Sequence, residues 1–183
     1  MRIKNCSKGW ACTLILALAF TSATAQRVAV KTNALYWATL SPNLGAEFRL
    51  SRHFTLNIEA AANPFTVSSY KLTNASIAPE VRYWLSGRPQ AGHFFGGMAL
   101  LAVYDMKWDD TYHKGDAVGL GVTYGYSFVL SRRWSLETTI GLGALRYREK
   151  KYTDAETAPS DANHKSTIIA PLKAGVTFTY ILK

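Results

Sequence analysis

Residues 116–130 read DAVGLGVTYGYSFVL, and their side chains alternate between two classes. The even positions from Val118 to Leu130 are large and apolar or aromatic, whereas most of the odd positions between them are Gly, Ser or Thr. Successive side chains of a β-strand point to opposite faces of its sheet, so this alternation predicts a strand with one apolar face.

The same alternation recurs along the chain and predicts eight strands. They cover residues 28–36, 43–50, 54–62, 77–85, 93–106, 116–130, 134–147 and 166–182. The last of these shows the pattern as clearly as 116–130, with large apolar side chains at its even positions. Residues 93–106 are apolar at both parities, so the sequence leaves the facing of that strand open.

The connections between these strands alternate in length. Short turns at residues 51–53, 86–92 and 131–133 alternate with long polar connections at 63–76, 107–115 and 148–165. All the tight turns therefore fall at one end of the sheet and all the long loops at the other. This arrangement predicts an all-β fold, an eight-stranded antiparallel up-and-down transmembrane β-barrel with periplasmic turns and extracellular loops.

The N-terminal segment predicts export. Three basic residues precede an apolar run at 10–20, and small residues end at Ala25. This order is typical of a secretory signal peptide, so we expect residues 1–25 to be removed and residues 26–183 to form one barrel domain. Cys6 and Cys12 would leave with the signal, and the mature chain would then contain no disulfide and no cysteine nucleophile.

Eight charged residues fall on the inward, small-residue face by parity. Four are basic and four acidic: Lys31, Arg49, Arg82 and Lys173 with Glu47, Glu59, Glu80 and Glu137. Buried charges are tolerated when they are paired, so a balanced set predicts a plugged lumen held by ion pairs. Gly, Ser and Thr on the same face suit the narrow interior of an eight-stranded barrel.

The remaining charge gathers at the end with the short turns. The whole chain has a formal net charge of +9, of which three basic residues belong to the signal peptide. The other six mark a periplasmic basic rim of Arg27, Arg52, Arg88, Arg132, Arg133 and Lys183. Such a rim would suit anionic phospholipid headgroups. The alternative is that these arginines serve solubility alone. In neither case does the positive charge indicate nucleic acid as a partner.

Aromatic residues are also placed by the strand pattern. Many of them, Phe54, Trp134 and Tyr180 among them, lie near the basic rim, while Tyr36 and Tyr104 lie towards the other end. Two aromatic belts of this kind are typical of barrels whose rings lie at the two surfaces of a membrane.

Three segments carry a family resemblance. They are KTNALYWATLSPNLGAEFRL (31–50), PEVRYWL (79–85) and GLGVTYGYSFVLSRRWSLETTIGLG (119–143). The mature chain resembles the small outer-membrane barrels of Gram-negative bacteria, the group that contains the OmpA transmembrane domain and OmpX. More narrowly, it resembles a Bacteroidota family of exported barrels known as a domain of unknown function. The resemblance implies an outer-membrane location and the outer-membrane assembly machinery as a partner, and it supplies no catalytic residue and no cofactor.

A soluble periplasmic lipid-binding barrel of the lipocalin type is the main alternative. Such a barrel also has eight strands, but it is apolar inside around its ligand and charged on the water-facing side. Here the second face of the strands is mostly Gly, Ser, Thr and Asn instead of Lys and Glu. The composition of that face favours the membrane barrel.

A lipid A-modifying enzyme is the less favoured alternative. His164 and Ser166 have the spacing of the lipid A deacylase group, and even parity would turn both towards lipid. No Asp or Glu follows in the last strand to orient the histidine, so we expect no catalytic residue.

An acidic group in or beside the long connection at 107–115 is a candidate metal site. It consists of Asp105, Asp109, Asp110 and His113, and the spacing matches no calcium-loop pattern. We therefore expect no metal and no cofactor. The sequence predicts a monomeric, non-enzymatic barrel that contacts outer-membrane lipids and offers loops 63–76, 107–115 and 148–165 to a surface ligand.

Overall fold

The computed structural model describes residues 27–63, 66–67, 70–108, 111–152 and 164–182, and the predicted signal peptide and Lys183 lie outside them. This part of the chain forms strands and one short helix, α1 (Ala34–Ala38). The strands are β1 (Val28–Asn33), β2 (Asn43–Arg49), β3 (Phe54–Asn63), β4 (Thr66–Val67), β5 (Tyr70–Trp84), β6 (Gly92–Trp108), β7 (Thr111–Val129), β8 (Trp134–Tyr152) and β9 (His164–Ile181).

Eight of the strands form a closed ring. Each is antiparallel to its neighbours in chain order, except that β3 pairs directly with β5 because the two-residue β4 pairs only with the start of β5. The ring closes where β9 pairs with β1, from Ala29 opposite Ile181 to Asn33 opposite Thr177. The prediction of an all-β fold with eight antiparallel strands is confirmed.

The two faces of the sheet have opposite character. In β7, Gly119, Thr123, Gly125 and Ser127 are buried inside the ring. The alternate residues point outward, and Leu120 and Val122 are 67% and 69% exposed. The interior is therefore filled by small and polar side chains, and the large apolar side chains cover the outer surface.

The structure also settles the facing of β6. Phe94 and Met98 are buried inside the ring, whereas Phe95 and Leu101 are exposed on the outer face. Phe94 pairs with Gly125 of β7, and a Cβ added to Gly125 would collide with the ring of Phe94. A glycine on one strand thus makes room for a large inward side chain on the next.

The expected first strand is wrong beyond Asn33, because residues 34–38 form α1. The side chain of Asn33 caps this helix by accepting a hydrogen bond from the Leu35 amide at 3.1 Å. The Trp37 indole donates to the Thr32 hydroxyl at 2.7 Å and holds the helix against the end of β1. Among the described residues, no helix has the length and apolar character needed to cross a membrane.

Pairing at the loop end continues further than expected. Strands begin at residues 70 and 111 where 77 and 116 were expected, and β8 runs to Tyr152 where 147 was expected. At the tip of the β6–β7 hairpin, Trp108 pairs with Thr111, so most of the expected loop 107–115 is strand. Ladder hydrogen bonds join backbone groups, so pairing extends into polar sequence that carries no apolar alternation.

A β-bulge changes the facing of the upper half of β9. Lys173 pairs with Gly141 and Pro171 pairs with Leu142, which leaves Leu172 as the extra residue. Beyond the bulge the outward positions are odd, and Ile169 is 88% exposed. Ser166 consequently lies on the inward side of the strand, and the expectation that it faces lipid is wrong.

Candidate functional site

A group of buried charged side chains fills the middle of the ring, and we call it the interior charge cluster. Its members are Lys31 (β1), Glu47 (β2), Glu59 (β3), Glu80 and Arg82 (β5), Glu137 (β8) and Lys173 (β9). Each side chain is at most 8% exposed. Six strands that are far apart in the sequence are thus joined at one level of the interior.

Each of the two lysines bridges a pair of glutamates. Lys31 Nζ lies 2.7 Å from a carboxylate oxygen of Glu47 and 2.7 Å from one of Glu137. Lys173 Nζ lies 2.8 Å from Glu59 and 2.9 Å from Glu80. The cluster therefore contains two Glu–Lys–Glu bridges.

Arg82 joins the two bridges at the centre of the cluster. Its guanidinium nitrogens lie 2.8 Å from the Glu80 carboxylate, 3.0 Å from that of Glu137 and 3.3 Å from that of Glu47. Glu59 is more distant at 3.8 Å. The guanidinium group is planar and offers five donors, which a lysine in this position would lack.

Neutral side chains complete the hydrogen bonding of the carboxylates. The Asn57 amide donates to Glu59 at 2.8 Å and to Glu80 at 3.1 Å. Thr123 donates to Glu80 at 2.5 Å and Thr139 donates to Glu137 at 3.1 Å. Sequence reasoning missed these three residues, although their inward parity next to charged positions was the available signal.

Glycines on neighbouring strands leave space for the charged side chains. A Cβ at Gly45 would lie 2.8 Å from Cγ of Glu59, and one at Gly96 would lie 2.7 Å from Oε1 of Glu80. These distances are far below ordinary van der Waals contact, so larger residues there would displace the glutamates. The small-residue face recognised in the sequence is therefore a requirement of the cluster.

Arg49 does not belong to the cluster, which corrects the expectation from parity. It is the last residue of β2, and its Nε donates to the Ser51 carbonyl at the turn end. Three cations therefore face four carboxylates where equal numbers were expected. Glu47 Oε1 and Arg82 Nε are buried and have no hydrogen-bond partner among the described residues.

Aromatic side chains close the interior between the cluster and the short turns. Trp84 and Phe94 are fully buried with ring centroids 4.8 Å apart, and the Trp84 indole donates to Thr55 at 2.9 Å. The Arg82 guanidinium lies over the Phe94 ring at 4.5 Å. Below them Gln90 folds inward from the β5–β6 turn, and its carbonyl accepts a hydrogen bond from Ser127.

On the other side of the cluster, α1 places Tyr36 over the interior. The cavity between Tyr36, Met98 and Leu172 measures about 10 Å³, which is at the lower limit for holding a single water molecule. Burial raises the pKa of the Tyr36 hydroxyl, and the nearby Glu59 carboxylate adds to this rise. Tyr36 therefore faces inward and does not belong to an outer aromatic belt.

Tyr104 also faces inward. A Cβ built on Gly115, its register partner in β7, would lie 2.8 Å from the Tyr104 hydroxyl. The expected second belt of aromatic rings at the loop end therefore loses both of the residues that the sequence suggested for it.

The residues considered for catalysis or metal binding are not assembled into a site in the described part of the chain. Ser166 pairs with Tyr147 on β8, and Asp105 pairs with Lys114 on β7. Asp109 and Asp110 lie outside the described residues. No group of three His, Cys, Asp or Glu side chains in the described ranges could hold a metal ion.

The residues of the predicted basic rim separate into two groups. Arg27, Arg88, Arg132 and Arg133 line one pocket of about 310 Å³ at the turn end. Arg52 lies in the β2–β3 turn, away from that pocket. The sequence indicated the charge of this end but could not indicate which turns come together.

Comparisons with known proteins place the chain in a family. Neither a search of curated proteins nor a search of solved structures found a match. A family model described as a protein of unknown function, DUF3575, matches residues 11–182, so the chain belongs to the DUF3575 family.

Proposed function

We propose that this protein is a small, non-enzymatic outer-membrane β-barrel whose lumen is plugged by the interior charge cluster. In this proposal the chain is exported by its N-terminal signal, inserted by the outer-membrane assembly machinery and surrounded by lipid as a monomer. Its role is structural or recognition-based, and recognition takes place through the loop end of the ring.

The outer surface of the ring carries the proposal. From Val118 to Phe128, every outward side chain of β7 is apolar or aromatic. The outward positions at 93–103 of β6, 134–144 of β8 and 167–180 of β9 likewise include no Asp, Glu, Lys or Arg. Outward charges begin only towards the loop end, at Asp105, Asp116, Arg146, Arg148 and Lys165.

The height of this uncharged band fits a membrane. Val118 and Phe128 are ten residues apart, which corresponds to about 34 Å along a strand at roughly 3.4 Å per residue. A strand tilt of about 40° reduces this to about 26 Å, close to the roughly 25 Å apolar band of outer-membrane barrels. A water-facing band of this size would instead be a severe aggregation hazard.

Aromatic side chains border the band at the turn end. Phe54 and Tyr83 are in contact with ring centroids 5.2 Å apart, and Trp134 and Tyr180 are 4.8 Å apart. Such rings favour the boundary between acyl chains and headgroups. They indicate where the proposed membrane would end, next to the basic rim.

The filled interior weighs against the soluble lipocalin-like alternative. A carrier of that kind needs an apolar cavity large enough for its ligand. Here the middle of the ring is occupied by the interior charge cluster, and the cavity next to it measures about 10 Å³. The lipid A-modifying alternative is weakened in turn, because the bulge turns Ser166 away from the outer surface.

Unequal strand lengths favour recognition at the loop end. β5 to β9 have 15 to 19 residues each, whereas β1 and β2 have 6 and 7. The pairing of β1 with β9 stops at Thr177. From Val176 to the loop end of β9, no strand among the described residues pairs with this side of β9. Asn33 covers the start of this edge by bonding to the Ala174 carbonyl and the Val176 amide. Helix α1 also packs against β9, so the edge that offers backbone groups to a partner is the part of β9 nearest the loop end.

Cell fractionation tests the proposal most directly. We expect the protein in the outer-membrane fraction, with protease added to intact cells cutting the connection at 148–165. Recovery in the soluble periplasm would refute the membrane location. In planar bilayers we expect no ion conductance from the purified protein, and steady conductance would show that the lumen is open.

A further inference from the structure

A pocket of about 310 Å³ opens at the turn end of the ring, and four arginines line it. We call it the arginine pocket. Arg27 precedes β1, Arg88 lies in the β5–β6 turn, and Arg132 and Arg133 lie in the β7–β8 turn. The described residues that line the pocket include no Asp or Glu. Folding therefore brings like charges from three separate segments around one space.

Backbone hydrogen bonds hold these segments in place. The Arg27 carbonyl accepts from the Arg49 amide at 3.1 Å, and the Arg133 carbonyl accepts from the Ile181 amide at 2.8 Å. The Arg88 amide donates to the Ser86 hydroxyl at 3.3 Å. The backbone therefore keeps these four exposed arginines at one end of the ring, where an anion would reduce their mutual repulsion.

A buried hydroxyl in the pocket wall is a second, independent observation. Ser135 lines the pocket and is 1% exposed, and its Oγ has no hydrogen-bond partner in the part of the chain that the structure describes. Thr179, its register partner on β9, is also buried and its Oγ is likewise without a partner. Buried hydroxyls are normally hydrogen-bonded, so the Ser135 hydroxyl is available to a polar group that enters the pocket.

We infer that the arginine pocket binds a phosphate group. The guanidinium fork donates two parallel hydrogen bonds to phosphate oxygens, and a neighbouring hydroxyl adds a further donor. The volume of about 310 Å³ lies at the small end of ligand pockets, enough for a phosphate with a short organic portion.

The phosphate could come from a phospholipid headgroup or from a soluble phosphate compound. Val129, Trp134 and Leu182 also line the pocket and are about half exposed. Apolar side chains at this position would contact the glycerol portion of a lipid. The lipid source rests on the proposed membrane location, whereas a soluble source does not.

Calorimetric titration of the full chain in dodecyl maltoside, an uncharged detergent, tests the inference with two probes, sodium pyrophosphate and phosphatidylglycerol. Replacing Arg88→Ala and Arg132→Ala together should weaken binding by at least about 100-fold, because two charge-assisted hydrogen bonds are lost. Ser135→Ala should weaken it by about tenfold without lowering stability, since this hydroxyl has no partner in the protein.

The matched control is the double variant Arg49→Ala and Arg52→Ala. It removes the same charge from the same end of the ring, at residues that do not line the pocket. We expect its affinity to change by less than about threefold, since charges outside the pocket make no direct contact with the phosphate and are screened by salt.

Each outcome of the titrations has one interpretation. Binding of both probes, with the losses confined to the pocket variants, supports a phosphate site open to either source. Binding of phosphatidylglycerol alone assigns the lipid source, and binding of pyrophosphate alone assigns a soluble one. Binding of neither probe, or an equal loss in the control, would overturn the inference. Pyrophosphate binding by a chain found in the soluble fraction would keep this inference and refute the membrane location.

Discussion

Leu172 and Lys173 are neighbours in β9, yet both side chains point into the ring. They are 7% and 5% exposed, whereas Ala174 and Pro171 on either side of them are exposed. The bulge in β9, opposite Gly141 and Leu142 of β8, produces this arrangement. It lets Lys173 reach the interior charge cluster while Leu172 packs above it, against Gly119 and Gly143.

Because of the bulge, the alternation of inward and outward residues in β9 shifts by one position, and labelling can detect this shift. Outside the predicted signal peptide the chain has no cysteine, so single cysteines can be introduced by Ile169→Cys, Ala170→Cys, Ala174→Cys and Thr177→Cys. Spin labels at 169 and 174 should be accessible to oxygen dissolved in lipid, and labels at 170 and 177 should not. If labels at 170 and 174 behave alike, the alternation is unbroken and the bulge is absent in the membrane.

Breaking the interior charge cluster should be costly. Arg82→Gln removes the cation that faces Glu47, Glu80 and Glu137 at hydrogen-bond distance, and it leaves four buried carboxylates with two lysines. Loss of one partner from a buried ion pair typically lowers the free energy of unfolding by about 3–5 kcal/mol. Urea unfolding of the protein in lipid vesicles, followed by tryptophan fluorescence, measures this loss.

The control for that measurement is an ion pair on the surface. Arg148 lies 3.9 Å from Asp116, and both side chains are about half exposed. Arg148→Ala should therefore lower the free energy of unfolding by less than about 1 kcal/mol. Equal losses in the two variants would mean that burial adds nothing to the cluster.

Much of the fold follows from local sequence, and the errors have physical causes. Alternation in 116–130 identifies β7 and its facing, because the two faces of the sheet meet different surroundings. Residues 93–106 could not be assigned in this way, since Phe94 fits inside only because Gly125 lies opposite. The facing of β6 is therefore decided by the residues that pair with it on the neighbouring strand and not by its own composition.

Part of the interior charge cluster could also be predicted from the sequence. Parity identified the inward charges but included Arg49, whose strand ends before its side chain can reach the centre. The arginine pocket depends on which turns meet at the end of a closed ring. Alternation along single strands carries no information on that point.

Glycine positions provide a test of packing inside the ring. A Cβ at Gly125 would collide with Phe94 and lie 2.6 Å from the Thr138 carbonyl oxygen, so Gly125→Ala should destabilise the protein by about 1–3 kcal/mol. Gly97 is the matched control, because a Cβ there meets nothing within 4 Å on the outer face. Gly97→Ala should be neutral or stabilise by up to about 1 kcal/mol. Thermal unfolding of both variants measures the difference. A lower melting temperature for Gly97→Ala than for Gly125→Ala would contradict the packing argument.

An arginine on the outer surface separates the membrane barrel from the soluble barrel. Val122 is 69% exposed near the middle of the uncharged band, so Val122→Arg places a charge close to the proposed bilayer midplane. There it should cost about 2–4 kcal/mol of the free energy of unfolding in phosphatidylcholine vesicles. Thr167→Arg, at an exposed outward position on the loop-end border of the band and opposite Arg146, should cost less than about 1 kcal/mol. In a water-soluble barrel both arginines would be harmless surface substitutions, so a cost at Val122 alone is the result that only the membrane barrel predicts.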